Sequence, residues 1–441
     1  MGFSPEELMQ CLGRLPQARR YVVAFSGGLD SGVLVHALRD PRIRLGLPLL
    51  AVHVDHGLSP DSADWAAHCA SFCAARNIAL ERVRLELRCD DGESVEACAR
   101  EARYAALAER MLPGDVVLTA HHRDDQAETF LLQALRGGGV EGLASMPAAR
   151  RLGDGWLLRP LLDFDRADLE SFARREGLSW VDDHTNEEIR FDRNYLRRTV
   201  FPLLRKRWPA VAAAFSRSAA HCGEAAGLVK EQAVADLGRL GDGDILAVAQ
   251  LAALPPGRQR AVLRQWLSMR GLPLPDRRRL HELQRQVTTA SQDRQPLCTW
   301  AGVEVRCWRG GLYAGPAIHP LPGGTRLTWG GSDVLALPAG LGTLELHGAT
   351  PPGRLEVRFR EGGETCARGG CHRPLKKLLQ ELSVPPWLRA RVPLVHLDGE
   401  LAAVGDFLSC ERWPRNLRLV WRKGVGWPAS VARTPSPESR P

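Results

Sequence analysis

The sequence predicts an α/β protein that begins with a parallel sheet covered by helices and continues into a small helical domain and a small α+β domain. Two observations predict the sheet. Short apolar runs alternate with stretches of three- and four-residue apolar spacing over the first two hundred residues, and a glycine-containing loop follows the first run. A third observation predicts several domains, because 441 residues are too many for one ordinary core.

The first part of the chain supplies the strands and helices of this sheet. Most of the apolar runs are continuous, as is typical of strands buried on both faces. The predicted strands are residues 21–25, 49–55, 80–87 and 115–120. Helical spacing predicts the helices between them at residues 31–38, 61–77 and 93–111.

The pattern changes near residue 209. An alanine-rich stretch predicts a helical connector, and arginine-rich segments after it predict further helices. We expect an α/β domain at 1–209, a helical connector and small helical domain at 210–315, a Gly/Pro-rich connector with some strand character at 316–352, a C-terminal domain at 353–423 and a disordered tail at 424–441.

Composition indicates a globular protein with a polyanionic partner. Hydrophobic residues make up 44% of the chain and charged residues 25%, which excludes disordered and fibrous classes. The formal net charge of +8 favours nucleic acid as a partner. Only five of the 59 basic residues are lysine, so a codon bias towards arginine explains part of this excess equally well.

The cysteines and the N-terminus indicate a cytoplasmic protein. Eleven cysteines are scattered without a CxxC pair, which favours a reducing compartment. The groups at 68–73 and 366–372 lack the paired ligands of a zinc site, so we expect thiols there. No secretory signal begins the sequence, and no apolar run approaches the roughly 20 residues that span a bilayer.

The loop after the first strand has the composition of a phosphate site. It reads Ser26, Gly27, Gly28, Leu29, Asp30, Ser31. The glycines let backbone amides approach an anion, the serines add hydroxyl donors, and the following helix presents its positive end. Asp30 repels phosphate, so we expect it to help hold Mg²⁺. The alternative is a plain glycine-rich turn.

Two other nucleotide motifs are excluded. The chain has no GxxxxGK segment followed by Ser or Thr, so the loop is not a Walker A loop. The glycines at 137–142 match GxGxxG but follow a helix-like run instead of a strand, which argues against dinucleotide binding.

A second constellation, HHRDDQAET at 121–129, follows the strand DVVLTA. His122, Asp125 and Glu128 are spaced three residues apart, so a helix that starts near Asp124 projects them to one side. Carboxylates there could bind a cationic amino acid and accept its ammonium proton, with His122 and Asp125 as catalytic residues. The alternative is an N-capping aspartate with a solvated first turn.

Arg100 is the remaining candidate for the chemistry. It lies on the predicted helix 93–111, four residues after Glu96. That spacing is typical of an ordinary ion pair on a helix surface. Alternatively, Arg100 stabilises the charge on a transferring phosphoryl group.

Together these segments resemble the tRNA(Ile)-lysidine synthase family, within the PP-loop ATP pyrophosphatases with a Rossmann-like catalytic domain. The segments that carry the resemblance are SGGLDS, VDHGLSPDS, ESVEACAREARY, HHRDDQAET and RGGGVEGLASM, at 26–31, 54–62, 93–104, 121–129 and 136–146. The resemblance implies that ATP adenylates the wobble cytidine of tRNA(Ile) with a CAU anticodon, and that L-lysine then displaces AMP to form lysidine. Codon and aminoacylation specificity would change from Met to Ile.

The resemblance also implies residues that bind tRNA. The stretch 159–204 resembles the end of the family's catalytic domain, with Asp183 and Asn186 at landmark positions, and 372–395 resembles its C-terminal signature. The implied tRNA-binding residues are Arg193, Asn194, Arg197, Lys376, Lys377, Trp387 and Arg389. Alternatively, the two arginines near 195 pair with carboxylates, and 372–395 is a solvated helix face with a buried Trp.

Three rival functions stay open at this stage. A PP-loop tRNA thiolation enzyme needs an activated cysteine or an iron–sulfur cluster, and no CxxC lies beside the loop. A protein that binds tRNA and ATP without turnover would not need the acids and histidines of 121–129. An amidotransferase-like ligase would not need a basic C-terminal domain. The sequence allows a homodimer and does not predict one.

Overall fold

The computed structural model describes residues 2–40, 46–57, 59, 61–85, 95–182, 188–241, 244–289, 296–348 and 353–424. The chain divides into two compact units, Met1–Leu228 and Val229–Pro441. The predicted tail beyond residue 424, the landmark positions Asp183 and Asn186, and the side chain of Glu96 lie outside the described residues.

A sheet of six strands, counted over the described residues, forms the centre of the first unit. Its strands β1 to β6 span Arg20–Ala24, Leu49–Asp55, Ala79–Arg84, Asp115–Leu118, Ala149–Leu152 and Gly155–Leu158. The order is β3-β2-β1-β4-β6-β5, and only β5 is antiparallel to its neighbour. The predicted class and its four predicted strands are therefore confirmed. The apolar pattern does not predict the β5–β6 hairpin, because Arg150 and Arg151 interrupt it.

Helices cover both faces of this sheet. Helices α1 to α10 span Pro5–Gly13, Leu29–Leu38, Ser62–Ala74, Val95–Ala108, Arg123–Leu135, Val140–Leu143, Arg166–Arg175, Asp192–Tyr195, Phe201–Arg207 and Val211–Leu240, with a π-helical turn at Leu196–Val200. Neighbouring valines of β1 point to opposite faces. Val23 belongs to one core with Leu34 of α2, and Val22 belongs to the other with Leu107 of α4. After Arg20 the strand is apolar, since its two faces pack into these two cores.

Parallel pairing decides where polar side chains gather. Since β1, β2, β4 and β6 run in the same direction, the segments that follow them lie at one edge of the sheet. These segments begin at residues 25, 56, 119 and 159. They include the predicted phosphate loop and the start of the second constellation.

The second unit begins with helices that pack on an antiparallel sheet. Helices α11 to α13 span Val248–Ala252, Pro256–Met269 and Arg277–Thr289; strands β7 to β10 span Leu246–Ala247, Leu297–Trp300, Val303–Trp308 and Gly311–Pro316. We expected only helices here, so the sheet is a correction. Its signal was the two-residue turn Arg309-Gly310, with φ of 48° and 74°, which is typical of a tight hairpin.

The rest of this unit is an α+β structure, as predicted. Strands β11 to β20 span Arg326–Trp329, Leu335–Ala336, Gly342–Gly348, Leu355–Arg358, Thr365–Arg368, Cys371–Pro374, Leu394–Leu397, Glu400–Val404, Leu408–Ser409 and Leu417–Lys423; α14 spans Leu375–Glu381, and a 3₁₀ helix spans Pro386–Arg391. β11 pairs with β14, and β13 pairs with β20. The expected connector 316–352 therefore contributes strands to these sheets.

One expectation about the cysteines is wrong. Cys366 and Cys410 form a disulfide with a Cα–Cα distance of 5.5 Å, whereas we expected a thiol at 366. The partners are 44 residues apart, and their proximity results from the packing of β15 beside the segment after β19, which cysteine spacing does not reveal. Among the described helices, none combines the length and apolar character needed to cross a bilayer.

Candidate active site

The loop after β1 is closed by its own serine hydroxyls. Ser31 Oγ accepts a hydrogen bond from the Ser26 amide at 3.3 Å and donates one to the Gly28 carbonyl at 3.1 Å. The two serine hydroxyl oxygens lie 3.0 Å apart. Helix α2 begins at Leu29, two residues before its predicted start, and no side chain at Gly28 caps it. The first amides of α2 are therefore left for an anion.

Gly27 is required by its surroundings. Its φ is +85°, and a Cβ there would lie 2.9 Å from Cys69 Sγ. Its carbonyl accepts a hydrogen bond from the Val181 amide at 3.0 Å, which fixes the bend. Gly28 has an ordinary φ of −75°, so the benefit there is the absence of a side chain where a phosphate would approach.

Asp30 has one oxygen that suits Mg²⁺. Its Oδ1 is buried and accepts no hydrogen bond from the described residues. Positive groups also lie nearby: Arg166 Nε is 4.0 Å from Oδ1, and His122 Nε2 is 3.6 Å from Oδ2. A carboxylate oxygen without a donor is the type of ligand that Mg²⁺ prefers, so Asp30 fits a role as a single ligand beside phosphate oxygens.

A second group of possible metal ligands is less suitable. His36, Asp40 and Glu176 have ligand atoms within 4.8 Å of one another. Arg76 Nε donates to His36 Nδ1 at 3.1 Å, however, so a cation already faces the histidine. This arrangement indicates an ion-pair network at the end of α2.

Helix α5 begins with a reciprocal cap between His122 and Asp125. His122 Nδ1 accepts from the Asp125 amide at 3.4 Å, and Asp125 Oδ2 accepts from the His122 amide at 3.0 Å. The helix starts at Arg123, close to the predicted Asp124, and its N-cap is a histidine instead of an aspartate. His122 is only 1% exposed, so its ring shapes the helix start as well as facing Asp30.

The predicted carboxylates do lie together, and two predicted tRNA-binding arginines lie on them. Arg197 donates from Nε to Glu128 Oε1 at 2.7 Å, and from Nη2 to Glu128 Oε2 at 2.9 Å and Asp125 Oδ1 at 2.8 Å. Arg193 Nε donates to Glu128 Oε2 at 3.2 Å, and its Nη2 donates to Thr129 Oγ1 at 3.2 Å. We name Asp125, Glu128, Arg193 and Arg197 the carboxylate cluster.

Neighbouring charges keep Asp125 of this cluster ionised. Burial raises the pKa of Asp125, but His122 and the two arginines outweigh burial and hold that pKa below its usual range. Burial lowers the pKa of His122, yet the carboxylates of Asp125 and Asp30 outweigh it and raise the pKa. The cluster therefore combines fixed negative and positive charge at the carboxyl edge of the sheet.

Arg100 and Asn194 have other neighbours. Arg100 Cζ lies 5.6 Å from the ring centroid of Tyr104, one turn further along α4. Asn194 Nδ2 donates to the Glu188 carbonyl at 3.0 Å. Asn194 thus holds the backbone that leads into α8.

His121 is a polar residue of the edge that we did not select from the sequence. Its Nδ1 lies 2.9 Å from Thr119 Oγ1. Burial, together with nearby arginines, lowers its pKa to about 3, so the ring is neutral at pH 7. The signal that could have found it is its place directly after β4, where side chains of parallel strands meet ligands.

The predicted tRNA-binding residues of the second unit differ in exposure. Lys376 and Lys377 are exposed on α14. Trp387 is half-buried, and its ring meets Trp308 at 6.3 Å edge to face. Arg389 Nε donates to the Val384 carbonyl at 2.9 Å. Of these four residues, Trp387 is held by ring packing and Arg389 by a backbone carbonyl, whereas the two lysines are exposed.

Comparisons with known proteins agree on the family. A PP-loop domain matches residues 4–204, a TilS substrate binding domain matches 246–313, and a TilS substrate C-terminal domain matches 355–421. The tRNA(Ile)-lysidine synthase of Coxiella burnetii is 42% identical over 419 residues, which are 93% of either chain. That of Alkalilimnicola ehrlichii is 42% identical over 426 residues, 93% of this chain and 94% of that one.

A solved structure with a similar fold is the U34-tRNA thiolase NcsA from Methanococcus maripaludis, with 18% identity and a TM-score of 0.41 over 49% of this chain and 76% of that chain. This likeness is too remote to bear on function. The domain matches and the relatives do not support the thiolation alternative. The chain belongs to the tRNA(Ile)-lysidine synthase family, a family of ATP-using PP-loop ligases.

Proposed function

We propose that this chain joins L-lysine to C2 of the wobble cytidine of tRNA(Ile) with a CAU anticodon, using ATP and Mg²⁺ and releasing AMP and pyrophosphate. One observation in particular supports the proposal. His122 Nε2 lies 3.6 Å from Asp30 Oδ2 and 3.3 Å from Asp125 Oδ2. The phosphate loop and the carboxylate cluster are therefore separated by a single side chain, as two consecutive reactions on one base require.

The loop 26–31 serves the first step. Its amides and hydroxyls hold the polyphosphate, and Arg100 adds positive charge from α4. When bound, Mg²⁺ would neutralise phosphate oxygens, with Asp30 as its protein ligand. The C2 carbonyl oxygen of the cytidine then bonds to the α-phosphorus, and the bond to pyrophosphate breaks. The cytidine must leave its stack to reach this edge.

The carboxylate cluster serves the second step. Asp125 and Glu128 bind ammonium, and Arg193 and Arg197 beside them suit the carboxylate of the same amino acid. The neutral ε-amine of lysine attacks C2, and AMP leaves with the oxygen. The proton released from the amine passes to the Asp125 and His122 pair, which already share a contact of 3.3 Å.

The exposed fraction of the side chains suggests which residues of the second unit contact RNA. We propose that Lys376 and Lys377 bind tRNA phosphates, because both are exposed cations. Trp387 and Arg389 would contribute a stacking edge and positive charge from positions that are already fixed. A homodimer is compatible with this scheme and is tested by the mass of the protein in solution.

The decisive experiment combines the purified chain with ATP, Mg²⁺, labelled lysine and separate tRNA transcripts, followed by nucleoside analysis and a pyrophosphate assay. We expect lysidine only in the tRNA(Ile) transcript with a CAU anticodon, with AMP formed in parallel. A protein that binds without turnover would release no pyrophosphate, and that result would overturn the proposal.

Asp30→Ala tests the loop within this assay. We expect lysine incorporation to fall roughly a hundredfold or more, as for the loss of a group that stabilises developing charge. Asp64→Ala is the matched control, because Asp64 is also an acidic residue in the first turn of a helix, α3, and is exposed. Near-normal turnover of Asp30→Ala would remove the Mg²⁺ assignment.

A further inference from the structure

Arginines from three elements surround Tyr104 at the edge of the first unit. Arg150 Cζ, from β5, lies 4.5 Å from the Tyr104 ring centroid, and Arg100 Cζ lies 5.6 Å from it. Arg159, which directly follows β6, interacts with the Tyr104 hydroxyl. We name Tyr104, Arg150 and Arg159 the tyrosine cluster.

No carboxylate of the described residues forms an ion pair with Arg150 or Arg159 within 4.0 Å. Arg159 is only 3% exposed, and its Nε is buried without a hydrogen-bond partner. Its Nη1 donates to the Pro147 carbonyl at 2.7 Å. A buried guanidinium without an acid is costly in free energy, so the position favours a bound anion.

The position of this cluster links it to the edge that holds the phosphate loop. β6 pairs with β4, which pairs with β1, so the segments that follow these three strands are neighbours. His121, which follows β4, is close enough to Arg159 and Arg100 for both to lower its pKa. The tyrosine cluster therefore lies towards the β5 end of the same edge of the sheet.

We propose that Arg150, Arg159 and Tyr104 form a subsite for one phosphate group of a substrate, supplied either by the polyphosphate of ATP or by the RNA backbone next to the reacting base. A guanidinium fork and a phenolic hydroxyl together match phosphate oxygens in charge and in donor geometry. The proposal rests on the proposed function in one respect, which is the choice of ATP and RNA as the two sources of the phosphate.

The test compares Arg150→Gln with Arg151→Gln. Both arginines lie on β5 and lose the same charge, but Arg151 stacks on Trp156, 4.5 Å from the ring centroid, instead of on Tyr104. Each purified variant is titrated with magnesium pyrophosphate and, separately, with the tRNA transcript at several salt concentrations. No turnover is needed for either measurement.

We expect Arg150→Gln to weaken one of the two ligands roughly tenfold, the loss typical of a charged hydrogen bond. If ATP is the source, pyrophosphate binding weakens and tRNA binding does not. If RNA is the source, tRNA binding weakens, and its dependence on log salt loses about 0.7 to 0.9 of slope. Equal affinities of Arg150→Gln and Arg151→Gln for both ligands would overturn the subsite.

Arg159→Lys provides a second measurement on the same subsite. It keeps the charge of the buried position but loses the planar fork, so we expect the same ligand to weaken and the fold to remain. Failure of the proposed function gives a different result. In that case the wild-type protein makes no lysidine, whereas Arg150→Gln can still bind pyrophosphate more weakly than the wild type does.

Discussion

The first unit places arginines in two opposite environments at one edge of its sheet. In the carboxylate cluster, Arg197 gives three hydrogen bonds to two buried acids. In the tyrosine cluster, Arg159 is more deeply buried but has a tyrosine and a carbonyl instead of an acid. The charge of arginine is thus balanced by carboxylates in the first cluster, whereas in the second no carboxylate among the described residues balances it.

This contrast distinguishes arginines whose charge is balanced within the protein from arginines whose charge is open to an anion from solution. Ion pairs that are complete in the protein alone contribute mostly through the penalty of breaking them. Buried cations without an acid do not stabilise the fold and are available to bind an anion from solution. Removal of a partner should therefore damage the first cluster and leave the fold of the second intact.

The largest expected effect is that of Glu128→Gln. Glu128 is 2% exposed and accepts from both Arg193 and Arg197. Its neutralisation leaves Arg193 without an acid among the described residues and Arg197 with Asp125 alone, so we expect the free energy of unfolding of the first unit to fall by about 3 kcal/mol. Urea denaturation followed by circular dichroism measures this change.

Glu170→Gln is the matched control for Glu128→Gln. Glu170 also pairs with an arginine, Arg174, at 2.6 Å, but the two side chains are 37% and 67% exposed on α7. We expect a loss below about 0.5 kcal/mol there. Similar losses of unfolding free energy for the two variants would show that burial does not distinguish these ion pairs.

A smaller effect ranks the two arginines inside the carboxylate cluster. Arg197 reaches both acids, whereas Arg193 gives Glu128 one hydrogen bond and gives another to Thr129. Double-mutant cycles of Glu128→Gln with Arg197→Met and with Arg193→Met should give coupling energies of about 2 and about 1 kcal/mol. The reverse ranking would mean that the hydrogen bonds do not set the coupling.

The sequence predicts which residues gather at the carboxyl edge of the first sheet, but it does not predict which of them pair with each other. The strand YVVAF, the glycines at 27 and 28, and the three-residue spacing from His122 to Glu128 follow from local rules of strand burial, turn torsion and helix period. The pairing of Arg197 with Glu128 joins two segments 69 residues apart. The surroundings of Arg159 depend on three segments, which carry Tyr104, Arg150 and Arg159 itself. Such contacts are set by packing, which no local pattern encodes.

Two adjacent histidines extend the comparison to pH. Burial, assisted by arginines, lowers the pKa of His121 to about 3, so its contribution to stability is full above its unfolded pKa of 6.5 and is lost as the pH falls towards 3. Burial opposes the shift of His122, but Asp125 and Asp30 raise its pKa. Its contribution is full below pH 6.5 and is lost as the pH rises through the raised value.

His121→Gln and His122→Gln should therefore change the pH profile of unfolding in opposite directions. We expect His121→Gln to flatten the acid side between pH 6.5 and 4.5, by about 0.5 kcal/mol per pH unit because the ring is only partly buried, and His122→Gln to flatten the side above pH 6.5. Urea titrations at half-unit intervals measure both. Changes of the same sign would contradict the two electrostatic environments.

The smallest effect on stability is expected for Arg150→Met, in the tyrosine cluster. Arg150 has no acid to lose among the described residues, and methionine keeps most of its packing against Tyr104. We expect the free energy of unfolding to change by less than about 0.5 kcal/mol, as for Arg151→Met. A loss above about 2 kcal/mol would mean that Arg150 already has a structural role, and the contrast with Arg197 would not hold. A stable protein with weaker phosphate binding would show instead that this arginine is retained for a ligand, because nothing in the fold requires it.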